Sequence, residues 1–267
     1  MDLYARVDET STTRPPVPIA LYGAGERANR KGAQAVDPCA ACVARHLCLP
    51  GTLDEDCRRP LEGLTIGRRR VARGQTLYRA GDSFLFLYAV RLGTFKSGLT
   101  MQDGHDKVTA FHLTGDLLGF DGLADGTHPT TATALEAAEV CAIPYAQLME
   151  ACAQTQPLRQ RVAQLMAIQL VRDYRSLKLV ANCGSEKRVA GFLLEMAGSM
   201  RERGYSPREF LLRMSRADIG SYLGTTLETV SRCLSAFARL GLINVRSRNI
   251  ELLRPLELLE YVNRDAG

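Results

Sequence analysis

The stretch SRADIGSYLGTTLETVSRCLSAFARLGLI, residues 215–243, has the pattern of two short helices joined by a tight turn. Ser215 and Asp218 have the spacing of a capping box, which predicts a helix that begins there and ends at Gly224. Thr225 is placed to cap a second helix. The predicted buried stripe of that helix is Leu227, Val230, Leu234 and Phe237. The stretch therefore predicts a helix-turn-helix.

The opposite face of the second helix carries short polar and charged side chains near its N-terminus: Glu228, Ser231, Arg232 and Ser235. Such groups at the leading end of a helix suit the reading of base edges in a DNA major groove. Arg232 can donate two hydrogen bonds to a guanine, and Glu228 can accept one from a cytosine. A plainer alternative is that Glu228 closes a capping box and that Arg232 pairs with it as a surface ion pair.

Residues on both sides of this helix extend the predicted DNA contacts. Thr226 lies at its start, and the later run INVRSRNIEL, residues 243–252, has the pattern of a hairpin. Arg246 and Arg248 flank the turn of that hairpin, where a wing would meet phosphates.

The region from about residue 64 to 145 has a different texture. Short strand-like runs are separated by glycines about every ten residues, which predicts a small antiparallel barrel or sandwich. The runs are LTIGRRRVA, TLYRA, FLFLYAVRLG, TFKSGLTM, KVTAFHL and TATALEAAEVCAIP. Gly81-Asp82, Asp103-Gly104 and Gly115-Asp116 predict tight turns.

Residues 155–182 follow with a helical period. The apolar stripe comprises Val162, Met166, Leu170, Leu177 and Val180. Asp173 interrupts this stripe, so the sequence predicts a helical seam with a carboxylate inside it. The alternative is a solvated Asp173 on a helix whose seam lies elsewhere.

Composition limits the class of protein. With 267 residues and 46% hydrophobic content, the chain is long enough for two domains with real cores. The formal charge of +5 is compatible with nucleic acid. No apolar window reaches the roughly 18 residues of a membrane span, and the N-terminus lacks a signal-peptide pattern, so we predict a cytoplasmic protein with no membrane partner. No Ser-His-Asp set, phosphate loop or carboxylate pair indicates an enzyme.

Three cysteines lie close together in the run CAACVARHLC: Cys39, Cys42 and Cys48. Thiols stay reduced in the cytoplasm, so this spacing favours metal binding or redox chemistry over structural disulfides. A tetrahedral metal or an iron–sulfur cluster needs a fourth ligand, which the spacing leaves open. His46 lies inside the run and is more simply a neighbour than a ligand.

Five further cysteines are candidates for that fourth position. Cys141 is predicted to end the last strand of the barrel. Cys57 lies close in sequence to the cysteine run, but at a loose spacing. Cys152, Cys183 and Cys233 have apolar helical neighbours and are predicted to be core thiols.

Several motifs, in this order, resemble the FNR branch of the CRP/FNR regulators, which are oxygen-responsive bacterial transcription factors. They are the cysteine run, AFHLTGDLLGFDGL, VCAIP, the long helix, GYSPREF and LETVSR, and the resemblance covers about residues 37–260. It implies an α+β fold with a β-roll (a jelly roll like that of cyclic-nucleotide-binding domains) as the sensor domain, a long dimerisation helix and a C-terminal winged helix-turn-helix.

The resemblance also implies domain boundaries and residue roles. Residues 1–36 lie outside the resemblance, and their polar composition, rich in Gly, Pro and Thr and without a sustained period, predicts a mobile N-terminal arm. From the resemblance we expect a cluster-binding segment with the β-roll over 37–154, the dimerisation helix over 155–183 and the DNA-binding domain over 184–267. Cys39, Cys42, Cys48 and Cys141 match the ligands of a [4Fe–4S] cluster, and Leu47 matches a position that shields it from oxygen. The alternative sensor in the same fold is zinc or a thiol redox switch, and a rival class is an electron-transfer protein without DNA binding.

By the same resemblance, Asp173, with Leu170 and Leu177, matches the dimer switch of the long helix. Glu228, Ser231 and Arg232 match the base-reading residues of a TTGAT…ATCAA palindrome. The loop of residues 99–108 resembles a surface that contacts RNA polymerase.

No cyclic nucleotide is expected, since Asp116 replaces the family's glutamate and no arginine lies near residues 129–134 to neutralise a phosphate.

Overall fold

The computed structural model describes residues 42, 44–49, 53, 61, 64, 66–101, 104, 106–182 and 184–263. The predicted N-terminal arm, Cys39, Cys57 and Cys183 lie outside these residues. No helix in the described part of the chain is long and apolar enough to cross a membrane.

Eight strands form the first half of the described chain, and every pairing among them is antiparallel. They build two four-stranded sheets, ordered β1-β8-β3-β6 and β2-β7-β4-β5. The strands are β1 (Gly67–Val71), β2 (Thr76–Tyr78), β3 (Phe86–Leu92), β4 (Phe95–Thr100), β5 (Asp106–His112), β6 (Leu117–Leu118), β7 (Thr131–Ala134) and β8 (Ala138–Pro144). The strand-like runs predicted a small antiparallel barrel or sandwich, and this arrangement is the β-roll that the resemblance implied.

Two details of the strand prediction were wrong. The run TATALEAAEVCAIP is two strands, because β7 and β8 belong to different sheets and residues 135–137 carry the chain from one to the other. Cys141 consequently lies within β8, three residues before its end, and does not terminate the strand. The two-residue strand β6 was not predicted, since so short a run has no readable alternation.

The β-roll packs on two hydrophobic cores. Alternate residues of β3 point to opposite faces of its sheet, as strand geometry requires. Tyr88 and Val90 contribute to the core between the sheets. Leu87 and Ala89 contribute to a second core. This core also contains Leu49, which follows directly after the run CAACVARHLC; this run with Leu49 is hereafter the cysteine segment.

Three helices follow the β-roll: α1 (Tyr145–Gln154), α2 (Gln156–Asn182) and α3 (Ser185–Glu202). The 27 residues of α2 make it about 40 Å long. Leu158 and Val162, in its first turns, are buried in the second core of the β-roll.

The remaining elements form a compact C-terminal unit with α3. They are β9 (Glu209–Leu211), α4 (Arg216–Leu223), α5 (Leu227–Arg239), β10 (Ile243–Arg246), β11 (Asn249–Leu252) and α6 (Pro255–Asn263). Helices α4 and α5 are the predicted helix-turn-helix, and the strands form a sheet ordered β10-β11-β9. Strand β9 was not predicted, and it pairs with β11 to enlarge the wing.

The hairpin of β4 and β5 contacts α4 directly. Lys96 Nζ lies 2.6 Å from Asp218 Oδ1, and Asp218 also completes the capping box with Ser215. The backbone N–H of Val108 donates to Ser221 Oγ at 2.9 Å, and Lys107 Nζ donates to the Ser221 carbonyl. The C-terminal unit is thus joined to the β-roll through the first helix of its helix-turn-helix.

A buried carboxylate joins the β-roll, the long helix α2 and the C-terminal unit. Asp116 lies in the turn between β5 and β6, and its Oδ1 accepts from Arg172 of α2 at 2.7 Å and from Arg203, just after α3, at 2.8 Å. Its Oδ2 accepts from the backbone N–H of Leu113 at 2.8 Å. Burial alone would raise the pKa of Asp116, but Arg203 and Arg172 outweigh burial and hold that pKa below its ordinary value.

We predict that Asp116→Asn lowers the free energy of unfolding at pH 7 by about 3 kcal/mol, because it leaves the buried Arg203 without its charge partner. Since the folded pKa of Asp116 is depressed, its stabilisation is present above the unfolded pKa and is lost as pH falls through the folded one. The difference in unfolding free energy between wild type and variant, measured by urea unfolding, should therefore disappear on acidification below about pH 4.

The exposed Asp125 offers a matched control in the same domain. Asp125→Asn should change the unfolding free energy by less than about 0.5 kcal/mol. Equal stability of Asp116→Asn and wild type at pH 7 would contradict the structural role assigned to the carboxylate.

Candidate metal centre and nucleic-acid interface

The described part of the cysteine segment is a tight turn that rests on the β-roll. The N–H groups of Leu47 and Cys48 both donate to the Ala44 carbonyl, at 3.0 and 2.8 Å. Ala44 and Leu49 are both only 1% exposed, and Leu49 packs in the β-roll core that contains Leu87 and Ala89. These apolar anchors fix the segment, and Cys48 is half-buried beside them.

Cys48 and Cys141 pack against the same hydrophobic core, although 93 positions separate them (141 − 48). Cys141 pairs with Arg68 of β1 and Ala89 of β3, so three strands hold its backbone. Cys39, the remaining predicted ligand, lies outside the described residues. Among the side chains that the structure describes, no group of three or more His, Cys, Asp or Glu stands ready to hold a metal.

The chemistry of the described cysteines fits an iron–sulfur site. Cys42, Cys48 and Cys141 are half-buried thiols without disulfides, and thiolate sulfur is the donor that such clusters use. Cys152 and Cys233 are buried in hydrophobic cores, as predicted, which leaves them structural. Burial raises the pKa of both thiols, so they are poor metal ligands.

Leu47 contacts the turn that carries Asp116. A Cβ on Gly115 would lie 2.4 Å from the Leu47 Cβ, so only glycine permits this approach, and Gly115 also has a φ of 94°. Leu47 and His46 face α2 across a cleft whose far side includes Arg172. The structure thereby connects the cysteine segment to the Asp116 carboxylate through a single packed residue. The shielding role of Leu47 stays a prediction.

The predicted seam of α2 is largely exposed in the single chain. Met166, Leu170 and Leu177 are 41%, 51% and 63% exposed, whereas Val162 is buried in the β-roll core. Asp173 lies on this exposed stretch and accepts from Gln169 Nε2 at 2.9 Å. Desolvation raises the pKa of Asp173, and the hydrogen bond from Gln169 and the nearby charge of Arg172 only partly oppose this.

The second helix of the helix-turn-helix begins one residue later than predicted. Thr226, and not Thr225, is its N-cap, since Thr226 Oγ1 accepts from the Thr229 backbone N–H. The turn between the two helices is tight: the Thr225 backbone N–H donates to the Gly220 carbonyl at 2.9 Å, and a Cβ on Gly220 would lie only 3.0 Å from the Thr225 carbonyl oxygen. Thr226 is exposed at the helix start.

The polar face of α5 is directed to solvent as predicted. Glu228, Arg232 and Ser235 are exposed, and Ser231 is partly so. Hydrogen bonds from its own backbone N–H and from Thr226 lower the pKa of Glu228, with a weaker effect of Arg232. Arg232 Nη2 donates to Thr229 Oγ1 at 3.1 Å, so its guanidinium is held by the helix and not by an ion pair with Glu228.

The buried stripe of α5 differs from the prediction at one position. Leu227 is 44% exposed, because it is the first residue of the helix and lies ahead of the core. Cys233 takes its place beside Val230, Leu234 and Phe237, which are all buried.

The wing presents its two predicted arginines differently. Ser247 turns the hairpin with a φ of 59°. Arg246 is exposed, whereas Arg248 is half-buried and donates to the Arg213 carbonyl at 3.1 Å. Arg216 Nη2 donates to the Ser247 carbonyl at 2.9 Å and braces the turn against α4. Arg246 is therefore the better placed of the two for a phosphate.

A cavity of about 750 Å³ lies between the β-roll and α2. Its described lining contains Lys107 and no arginine, and it includes the carboxylate of Asp121. Asp116, the counterpart of the family's glutamate, is occupied by two arginines and does not line this cavity. These features oppose a cyclic phosphate, so the absence of cyclic nucleotide binding stays a prediction with a physical basis.

The chain is similar to known proteins over most of its length. Residues 68–155 match the family of cyclic nucleotide-binding domains, and residues 187–261 match the Crp-like helix-turn-helix domain. The fumarate and nitrate reduction regulatory protein of Vibrio cholerae is 40% identical over 222 residues, which are 83% of this chain and 89% of that protein. The protein of the same name from Escherichia coli K12 is 39% identical over 214 residues, which are 80% and 86%.

A solved structure gives the same architecture. FixK2 from Bradyrhizobium japonicum is 28% identical, has a TM-score of 0.69, and covers 76% of this chain and 99% of its own.

Proposed function

Because the chain belongs to the CRP/FNR family of transcription regulators, in the branch of the fumarate and nitrate reduction regulatory proteins, we propose that it senses oxygen through a [4Fe–4S] cluster. It is a DNA-binding regulator with a helix-turn-helix, and its relatives belong to a non-enzymatic class. Cys39, Cys42, Cys48 and Cys141 would hold the cluster. The same residues could serve zinc binding or a thiol redox switch, which is the alternative.

One observation carries the proposal: the cysteine segment and the strand of Cys141 pack against the same core, as the contacts of Cys48 show. Four thiolates divided between these two elements would tie the segment to the β-roll. When bound, the cluster supplies an oxygen-sensitive link, since the tie lasts only while it is intact. The chain's own residues would then transmit the loss of this link to α2 and to the DNA-binding unit.

Leu47 connects the cysteine segment to the long helix α2. Leu47 packs on Gly115, and the adjacent Asp116 binds Arg172 of α2. The same carboxylate binds Arg203, which lies at the end of the first helix of the DNA-binding unit. A change in the position of the cysteine segment would therefore reach both α2 and the DNA-binding unit through one turn.

Dimerisation through α2 completes the proposal. Leu170 and Leu177 offer exposed apolar surface, and Asp173 lies between them. Two Asp173 carboxylates facing each other across a homodimer repel and are costly to desolvate, so the cluster-free dimer is marginal. A free-energy difference of a few kcal/mol between monomer and dimer is small enough for cluster binding to decide which of the two is populated.

A dimer would present two copies of α5 to one face of DNA, about 34 Å apart, as a palindromic site requires. We assign base contacts to Glu228, Ser231 and Arg232 and backbone contacts to Thr226 and Arg246, with a TTGAT-type half-site. RNA polymerase is assigned to the tip of the β4–β5 hairpin. Leu99 and Met101 at this tip are 38% and 50% exposed, which suits a protein contact.

Cluster binding is tested by Cys141→Ala in protein reconstituted with iron and sulfide without oxygen. The variant should lose nearly all of the roughly four irons per chain that we expect for wild type, because one thiolate ligand is missing. Cys152→Ala and Cys57→Ala should retain them. Full iron in Cys141→Ala, or its loss in Cys57→Ala, would refute the ligand assignment, and a wild type that holds only zinc or no metal would favour the alternative.

The seam is tested by Asp173→Ala in air. Removal of the repelling carboxylates should shift the protein toward dimers by about tenfold in the dissociation constant, measured by sedimentation velocity over a concentration series. Glu150→Ala, at an exposed acid on α1, is the control and should sediment like wild type. An unchanged dissociation constant for Asp173→Ala would eliminate this account of the seam.

The DNA contacts are tested by fluorescence anisotropy with a palindromic duplex and a scrambled one. Arg232→Ala should weaken only specific binding, by about 1–3 kcal/mol. Arg246→Ala should weaken binding to both duplexes alike and reduce the salt dependence by about one charge per half-site. If Arg232→Ala affected both duplexes equally, Arg232 would be a phosphate contact and not a base reader.

A further inference from the structure

Three side chains of α5 form a chain of hydrogen bonds that ends at Arg232. Thr226 Oγ1 donates to Thr229 Oγ1 at 3.2 Å, and Arg232 Nη2 donates to the same Thr229 oxygen at 3.1 Å. The Thr226 oxygen also accepts from the backbone N–H of Thr229 at 3.2 Å, so the chain begins at the helix N-cap. The three residues follow each other at steps of three, which places them on one side of the helix.

Thr229 is well suited to anchor this chain. Its side chain is half-buried, whereas Thr226 and Arg232 are exposed. The next residue, Val230, is buried in the core of the C-terminal unit and holds the helix in place at this point. A β-branched side chain in a helix has few χ1 rotamers, so the backbone largely fixes the position of the Thr229 oxygen. An arginine bonded to that oxygen samples fewer of its many rotamers than one bonded only to water.

The bond to Thr229 directs Arg232 toward the leading end of the helix. Long side chains in helices lean toward the N-terminus, and the N-terminal residues of a recognition helix are those that enter the major groove. The bond takes one of the five N–H donors of the guanidinium and leaves four. A bidentate contact with guanine needs two, so Arg232 can be held by Thr229 and still read a base.

Resting on the proposed function, we propose that Thr229 is a positioning residue that determines DNA specificity by ordering Arg232 before DNA binds. Ordering a long side chain on binding costs free energy, and a side chain that is already ordered avoids most of that cost. The saving applies only to a DNA site at which Arg232 becomes ordered, which is the site that offers the guanine. Thr229 therefore increases the affinity for the specific site and leaves non-specific binding unchanged.

Two variants of Thr229 separate its hydroxyl from its shape. Thr229→Val removes the hydroxyl at nearly constant shape and retains the backbone N–H that bonds the Thr226 cap. Valine and threonine have similar helix propensities, so the variant should fold and melt like wild type. Thr229→Ser is the conservative variant, because it keeps an oxygen that can accept from Arg232, and it should restore most of the discrimination.

The first readout is the discrimination ratio of the anaerobically reconstituted full chain, measured by fluorescence anisotropy. It compares the palindromic duplex with one in which adenine replaces the guanine of a single half-site. Thr229→Val should lower this ratio about three- to tenfold, because the ordering cost of one arginine returns, and should leave the affinity for the scrambled duplex unchanged. The double variant Thr229→Val/Arg232→Ala should discriminate like Arg232→Ala alone.

The second readout needs neither DNA nor a cluster. It is the nitrogen-15 order parameter of Arg232 Nε in the free protein, with the signal assigned by its loss in Arg232→Lys. Thr229→Val should lower this order parameter, and Thr229→Ser should not. The exposed Arg239, at the end of the same helix, is the internal reference and should be unaffected by either variant.

Equal weakening of the palindromic and scrambled duplexes by Thr229→Val would overturn the inference, since Thr229 would then be a phosphate contact. An unchanged order parameter in Thr229→Val would also overturn it, as would an unchanged ratio when Arg232→Ala lowers that ratio. If Arg232→Ala leaves the ratio unchanged, the base-reading role in the proposed function fails instead. The order parameter would still decide whether Thr229 orders Arg232.

Discussion

The Asp116 carboxylate, shared by Arg172 and Arg203, is the interaction on which the arrangement of the three parts depends. A buried anion of this kind is stable only while both guanidinium groups remain in place. The turn that carries it is contacted from the other side by Leu47, through a glycine that no larger residue can replace without displacement. The cysteine segment, the long helix and the DNA-binding unit therefore meet at one point, and none can shift without disturbing the others.

Local features of the fold could be predicted from the sequence because local chemistry determines them. The capping box of Ser215 and Asp218 and the helix end at Gly224 occur as predicted, since caps depend on residues a few positions apart. The errors were also local. Thr225 was chosen as the cap where Thr226 serves, and Leu227 was assigned to the core although it precedes the first buried turn.

Long-range contacts of the site could not be predicted, because no periodicity or spacing records them. Asp116 is 56 and 87 residues from its two arginine partners. Each of these residues, taken alone, has the sequence context of an ordinary surface charge. The cysteine run, in contrast, was conspicuous, because three thiols within ten residues indicate metal binding or redox chemistry.

In the proposed mechanism, an intact cluster maintains DNA binding. The most direct measurement is an anisotropy titration of a palindromic duplex with one anaerobically reconstituted sample, repeated after the same sample has been exposed to air until its iron is released. The account predicts tight, specific binding before exposure and a loss of at least about a hundredfold in affinity afterwards, with return to the monomer. Equal affinity before and after the loss of iron and sulfide would contradict it.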